Sequence, residues 1–183
     1  MPRFPLALAS VLLLSACSGG SHAKSGSPTP VPAVSAAAGG LDASGILSQF
    51  TAAGLPVGAV DVYTAASDPT HLLGRRHEYT SKANFIDTGH GGQAAGSRIE
   101  VANGGSIEVF ASAADANARG RFVTDVPPGA SRVAEADFTS GNVLMRLGPK
   151  VSFGEERLYM DALTKLTHAP VLQVIQVAAT PRP

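Results

Sequence analysis

Arg98-Ile99-Glu100-Val101-Ala102-Asn103-Gly104-Gly105-Ser106-Ile107-Glu108-Val109-Phe110 is the stretch from which the architecture is first read. Apolar and polar residues alternate over 98–101 and again over 106–110, on either side of Asn103-Gly104-Gly105. A period of two marks a half-buried strand, and an Asn-Gly pair between two such runs is a strong sign of a β-hairpin. A second hairpin is expected from 135–139 to 142–147, turning at Ser140-Gly141. Residues 57–64 read as a strand, with Val60 and Val62 on one face and Asp61 and Tyr63 on the other. Residues 171–177 read as an edge strand or a tail.

Three helices are expected around these strands. The first covers 41–53, with Asp42 as its cap, Leu41 and Ile46 as a hydrophobic staple, and Gly54-Leu55-Pro56 as its stop. Ile46, Leu47, Phe50 and Ala53 give it one apolar stripe. The second starts at Ser112, which fits a capping box with Asp115. It runs to about 126, with Ala118 and Phe122 facing inward, and Pro127-Pro128 ends it. The third covers 155–166 with Leu158, Tyr159, Ala162, Leu163 and Leu166 on one stripe. The order helix, strand, hairpin, helix, hairpin, helix implies an α+β domain. Its economical packing is an antiparallel sheet of four or five strands with helices on one face, and a ferredoxin-like arrangement is one candidate. The segment 65–97 shows weak periodicity, contains Asp68-Pro69, Gly89, Gly91 and Gly92, and reads as one long loop. A loop of that length in a compact domain is uncommon unless it is functional or partly disordered.

The domain so read spans 41–177, with 178–183 as a tail. Before it the chain begins Met1-Pro2-Arg3, continues with the apolar run 4–14, and reaches Leu14-Ser15-Ala16-Cys17. A short basic start, an apolar stretch of this length and small residues at the cleavage point form a secretory signal peptide. The run is too short for a membrane-spanning helix, which needs about 20 residues. Leu14-Ser15-Ala16-Cys17 resembles the lipobox of bacterial lipoproteins. That resemblance implies a signal peptide over 1–16, cleavage before Cys17, a diacylglyceryl group on its sulfur, and an anchor at the outer face of the cytoplasmic membrane. Cys17 is the only cysteine and has no disulfide partner within the chain, which agrees with this reading. Residues 17–40 are rich in Ser, Gly, Ala and Pro, a composition that cannot bury a core and reads as a disordered tether.

Of the 14 basic residues, Arg3 and Lys24 precede position 41, whereas all 14 acidic residues follow it. The domain is therefore slightly acidic, the wrong balance for a nucleic-acid partner. With no tryptophan and three tyrosines it is also poor in the aromatic faces on which sugars stack.

Few residues carry an obvious chemistry. His71, His77 and His90 share the 65–97 segment, but their spacing matches no standard zinc pattern and no cysteine is available, so neither a metal nor another cofactor is expected. Phe85-Ile86-Asp87-Thr88-Gly89 contains the Asp-Thr-Gly of aspartic proteases. That chemistry needs two carboxylates sharing a proton, and no second copy exists, so a turn is expected there. Gly89-His90-Gly91-Gly92 lacks the spacing and the following helix of a phosphate cradle. No Gly-x-Ser-x-Gly elbow occurs, and no catalytic residue is assigned.

Several stretches resemble an uncharacterised group of actinobacterial secreted lipoproteins. They are Asp68-Pro69-Thr70-His71-Leu72-Leu73-Gly74-Arg75 with Tyr79-Thr80-Ser81-Lys82 and Phe85-Ile86-Asp87, then 104–110 with Ala114-Asp115-Ala116 and Arg119, 141–147 and 159–163. Arg76 stands where members of that group often carry Pro, so the turn there is expected to differ. The resemblance brings no activity. It singles out Arg75, Tyr79, Lys82 and Asp87 as a candidate ligand-binding cluster beside Leu72-Leu73. The competing expectation is that Leu72, Leu73 and Tyr79 pin the loop to the core while Arg75 bonds a carboxylate. The functional expectation is a non-enzymatic binding or accessory domain of the cell envelope. It would be held to the membrane by lipid on Cys17 and bind an envelope protein or small ligand. The alternatives are an envelope hydrolase using the 71–92 loop and a prophage-type superinfection-exclusion lipoprotein.

Overall fold

A computed structural model describes residues 40–89, 99–125 and 135–174. The expected signal peptide, Cys17 and most of the tether lie outside the described residues, as do His90, Gly91-Gly92, Arg98, Pro127-Pro128 and the stretch 175–183. The elements run α1 (Ala43–Ala52), β1 (Val57–Val62), β2 (Tyr79–Asp87), β3 (Gly104–Phe110), α2 (Ala113–Thr124), β4 (Ala136–Ser140), β5 (Val143–Leu147), α3 (Phe153–Thr167) and β6 (Leu172–Gln173). The strands form one antiparallel sheet of six, in the order β1-β2-β3-β5-β4-β6. The α+β class and the antiparallel sheet are as expected, with one or two strands more than the alternation indicated.

The additional central strand is β2, inside the segment read as a loop. It pairs with β1 on one side and with β3 on the other. The partner assigned to β3 from sequence was 98–101. In the structure Val101–Asn103 form a single 3-10 turn instead, and β3 lies between β2 and β5. Gly104 and Gly105 had been read as turn residues. They are strand residues whose missing side chains let β2 and its neighbours come close. A Cβ on Gly104 would stand 2.2 Å from the carbonyl oxygen of Phe85, and one on Gly105 would stand 2.6 Å from the carbonyl oxygen of Arg146. The glycines thus serve close backbone approach and not a hairpin turn.

The β4–β5 hairpin forms as expected, with Gly141 at φ +54° in its turn. The run β3-α2-β4-β5-α3-β6 has the element order of a ferredoxin-like unit. Its last strand pairs with β4, however, and the place beside β3 is taken by β2. The arrangement is therefore not the ferredoxin-like one.

Helices cover both faces of the sheet and not the single face expected, because α2 packs its small residues over Phe110 and Leu144 while α1 and α3 lie opposite. On one face Ile46, Leu47 and Phe50 of α1 and Tyr159 and Leu163 of α3 pack on Ala83, Phe85, Ile107, Val109, Phe138 and Met145. Tyr159 meets Phe50 and Phe85, each with ring centroids 5.5 Å apart. Leu158, expected on this stripe, is mostly exposed. Asp42 caps α1 by accepting from the N–H of Gly45, and Ser152 with Glu155 forms a complete capping box on α3. Helix α2 lies on the other face, over Phe110 and Leu144. It buries Ala116, Gly120 and Thr124, not Ala118 and Phe122, and Phe122 is 68% exposed. Small residues spaced by four let α2 lie close. A Cβ on Gly120 would already touch Thr139 Cγ2 at 3.3 Å. Among the described residues no helix is long and apolar enough to cross a membrane.

Candidate functional site

The sheet face under α2 and the 63–78 segment is buried yet polar. Strand alternation places Lys82 and Asn84 of β2, Ser106 and Glu108 of β3, Arg146 of β5 and Asp137 of β4 on it. All are buried except Arg146, which is half-buried. Asn84, Ser106 and Arg146 stand side by side across three strands, and so do Lys82, Glu108 and Leu144.

Glu108 is fully buried and is the hub of an ion network. Its Oε1 is 3.5 Å from Lys82 Nζ and 3.7 Å from Arg146 Nη1, and its Oε2 accepts from Arg119 Nε of α2 at 3.3 Å. Arg146 also donates to Glu135 Oε2 through Nη2 at 2.6 Å and Nε at 2.9 Å. Burial would lower the Arg146 pKa, but Glu108, Glu135 and Asp137 around it raise it above the ordinary value.

A second hub, Asp68, fixes the 63–78 segment. Its carboxylate accepts from Tyr79 OH at 2.6 Å, from the N–H groups of Leu72 and Leu73 at 2.9 and 3.0 Å, and from Thr70 Oγ1 at 3.0 Å. Burial pushes the Asp68 pKa up, but the bonds from Tyr79, Leu73, Leu72 and Thr70 outweigh it and hold the carboxyl well below the usual range. Burial, and then its bond to Asp68, push the Tyr79 phenol in the opposite direction, well above its ordinary value. Lys82 Nζ lies 3.8 Å from Asp68 and about equally far, 5.2 and 5.0 Å, from the ring centroids of Tyr63 and Tyr79. The segment also turns twice through the left-handed region at non-glycine residues, His71 at φ 54° and His77 at φ 64°. His77 Nδ1 is 3.0 Å from Asp115 Oδ1 at the start of α2.

Between this segment and the turn before β3 lies a cleft of about 220 Å³, lined by Tyr63, Pro69, Lys82, Asn84, Glu135 and residues 99–102. Asn84, 6% exposed, engages both amide hydrogens, donating to Ile99 O at 2.7 Å and Tyr63 OH at 3.1 Å. Its Oδ1 is left without a hydrogen-bond partner, as is the hydroxyl of adjacent Ser106.

The four residues singled out from sequence are therefore not one cluster. Tyr79 and Lys82 come together on the polar face. Asp87 lies on the apolar face, buried, accepting from Tyr159 OH at 2.8 Å and from the N–H of Gly89 at 2.8 Å. Arg75 is exposed, and among the described residues its side chain forms no ion pair. Leu72, Leu73 and Tyr79 do pin the segment, packing together over Phe110 and Leu144. Sequence reading missed Asp68, Glu108, Arg119, Arg146 and Asn84. The available signal was the charged inner positions of an otherwise apolar strand, Glu108 in β3 and Arg146 in β5. Among the described residues no group of three or more His, Cys, Asp and Glu could hold a metal. No family model matches this chain, and no curated protein or solved structure matches it either.

Proposed function

We propose that this chain is a lipoprotein of the bacterial envelope, exported, lipidated on Cys17 and held at the outer face of the cytoplasmic membrane, where its α+β domain binds a small ligand without catalysing a reaction. Leu14-Ser15-Ala16-Cys17 after an 11-residue apolar run supports the anchor. Two acyl chains on one sulfur suffice for stable attachment, because each buried CH₂ contributes roughly 0.8 kcal/mol. The resemblance to secreted actinobacterial lipoproteins points the same way.

The observation that carries the binding reading is the cleft lined by Tyr63, Pro69, Lys82, Asn84 and Glu135. Preformed concavity with a few oriented polar groups is the usual form of a small-ligand site. Its walls are held by the Asp68 and Glu108 hubs, so the geometry is rigid before any ligand arrives. The tether of 17–40 would carry the cleft clear of the bilayer.

Detergent-phase partitioning and intact mass of the full-length protein test the anchor. Wild type should enter the detergent phase with a mass increase of a diacylglyceryl group, and Cys17→Ser should stay aqueous without it. A wild-type protein that stays aqueous and carries no added mass refutes the anchoring.

A further inference from the structure

We infer that a second cleft, between α3 and the β4–β6 edge of the sheet, takes a small amine with an apolar body, an alkyl- or arylalkyl-ammonium. This site stands apart from the anchor and from the cleft beside Lys82. It measures about 370 Å³, within the size range of small-ligand sites. Phe138 of β4 pairs with Gln173 of β6, and antiparallel partners share a face, here the one that α3 covers. Both residues line the cleft together with Met160 and Phe153 of α3. Phe138 is buried and Met160 half-buried, whereas Phe153 is 75% exposed at the start of the helix. The lining is thus largely apolar and includes an aromatic ring that nothing among the described residues covers.

One carboxylate on this lining lacks a counter-charge. Glu156 shares a helix face with Phe153 and Met160, three residues before it and four after it. It is half-buried, and among the described residues its carboxylate accepts no hydrogen bond and meets no cation. Burial raises its pKa above the ordinary value, and neither a charge nor a hydrogen bond offsets the rise. The helix dipole favours an acid near the start of α3, but it gives no partner to a charge drawn out of water, and pairing is what such a charge calls for. Arg157 does not fill that role, because consecutive helix positions do not face each other; its place four residues before Asp161 suits that carboxylate instead. The lining therefore carries two acids and one base, a balance that attracts a cation and repels an anion. An ammonium at Glu156 restores the missing counter-charge while its body lies against Phe138 and Met160, and the face of Phe153 adds to the attraction. At roughly 30 Å³ per water, the cleft has room for an aryl ring on a short amine chain.

Isothermal titration of the full-length, detergent-solubilised protein with 2-phenylethylamine tests this. The controls are 2-phenylethanol and 3-phenylpropionate, neutral and anionic probes of like shape, and ethylamine, which carries the charge without the apolar body. Only phenylethylamine should bind saturably, at one site. Glu156→Gln keeps the shape and removes the charge. It should weaken binding roughly tenfold, the loss of one charge-assisted hydrogen bond, without lowering the melting temperature. Phe153→Ala, at an exposed position, should weaken it roughly threefold. Absent binding of phenylethylamine, equal binding of any control probe, or unchanged affinity in Glu156→Gln overturns the proposal. The anchor is read separately, by detergent partitioning of Cys17→Ser, so a failed titration rejects this site and leaves the anchoring intact.

Discussion

Changing Asp68 to Asn alters one atom of the hub that holds the 63–78 segment, and the structure fixes what that atom meets. In one amide orientation the new NH₂ faces three donors, Tyr79 OH at 2.6 Å and the N–H groups of Leu72 and Leu73 at 2.9 and 3.0 Å. In the other it faces the N–H of Thr70 at 3.3 Å and the ammonium of Lys82 at 3.8 Å. Neither orientation satisfies both sides, and both remove the counter-charge of a buried lysine. Hydrogen bonds to a charged group contribute about 1.5–3 kcal/mol each, and breaking a buried ion pair by removing one partner costs about 3–5 kcal/mol. We expect a loss of about 4 kcal/mol, a large share of the 5–15 kcal/mol typical of a domain. The corresponding fall in Tm is roughly 10–20 °C. Urea denaturation at pH 7 measures the loss, and amide exchange should show Leu72 and Leu73 losing protection. The pH dependence gives an independent check. The folded-state pKa of Asp68 is depressed, so its contribution is complete above the ordinary value of 3.8 and is lost as pH falls from there toward the depressed one. The gap between wild type and variant should therefore be flat from pH 7 to about 5 and shrink below about 4. A loss under about 1 kcal/mol, or a gap that already closes by pH 5, would refute the reasoning.

Gly104→Ala should cost at least the upper end of the 1–3 kcal/mol range for overpacking, because the new Cβ meets backbone at 2.2 and 2.4 Å and not a movable side chain. Unchanged stability in chemical denaturation would contradict the close approach of β2 and β3. His168→Gly should stabilise the fold by about 0.5–1 kcal/mol, since His168 ends α3 at φ 53°; a Tm at or below wild type would count against it. Tyr159→Phe should cost about 1–3 kcal/mol, as the buried Asp87 carboxylate loses a donor at 2.8 Å while the ring contacts remain. An isosteric variant as stable as wild type would show that this bond contributes nothing net.

The helices were legible because their signals are local. Asp42 and Ser152 cap, Gly54 stops α1, and the stripe on α3 through Tyr159 and Leu163 has the period of a buried helix face. The β4–β5 hairpin was legible for the same reason, since Ser140-Gly141 is a real turn. Strand β2 was not. Its inward positions on one face are Ala83 and Phe85 and on the other Lys82 and Asn84, so apolar alternation is faint. The bulge between Tyr79 and Ser81 also shifts its phase. The false hairpin came from glycines whose role is set by neighbours distant in sequence, which no local pattern reports. Helix α2 misled through composition: the buried stripe is Ala116, Gly120 and Thr124, while Phe122 faces outward near Arg119, with 5.5 Å between the guanidinium and the ring centroid.

These misreadings share a cause, and the cause bears on where a site would be. Hydrophobic alternation assumes that an inward-facing residue is apolar. On the face under α2 that assumption fails at Lys82, Asn84, Ser106, Glu108, Asp137 and Arg146 together, while the opposite face obeys it at Ala83, Phe85, Ile107, Val109 and Met145. A sheet stabilised only by burial would not keep an ion network on one face, because replacing buried ion pairs by apolar residues of similar volume is often neutral or stabilising. Conflicts between local pattern and fold collect where another demand is being met. Here they collect around Asp68 and Glu108, beside the cleft that Lys82 and Asn84 help to line. An all-apolar version of this face should be at least as stable and would lose the cleft's polarity, so burial alone does not account for the ion network.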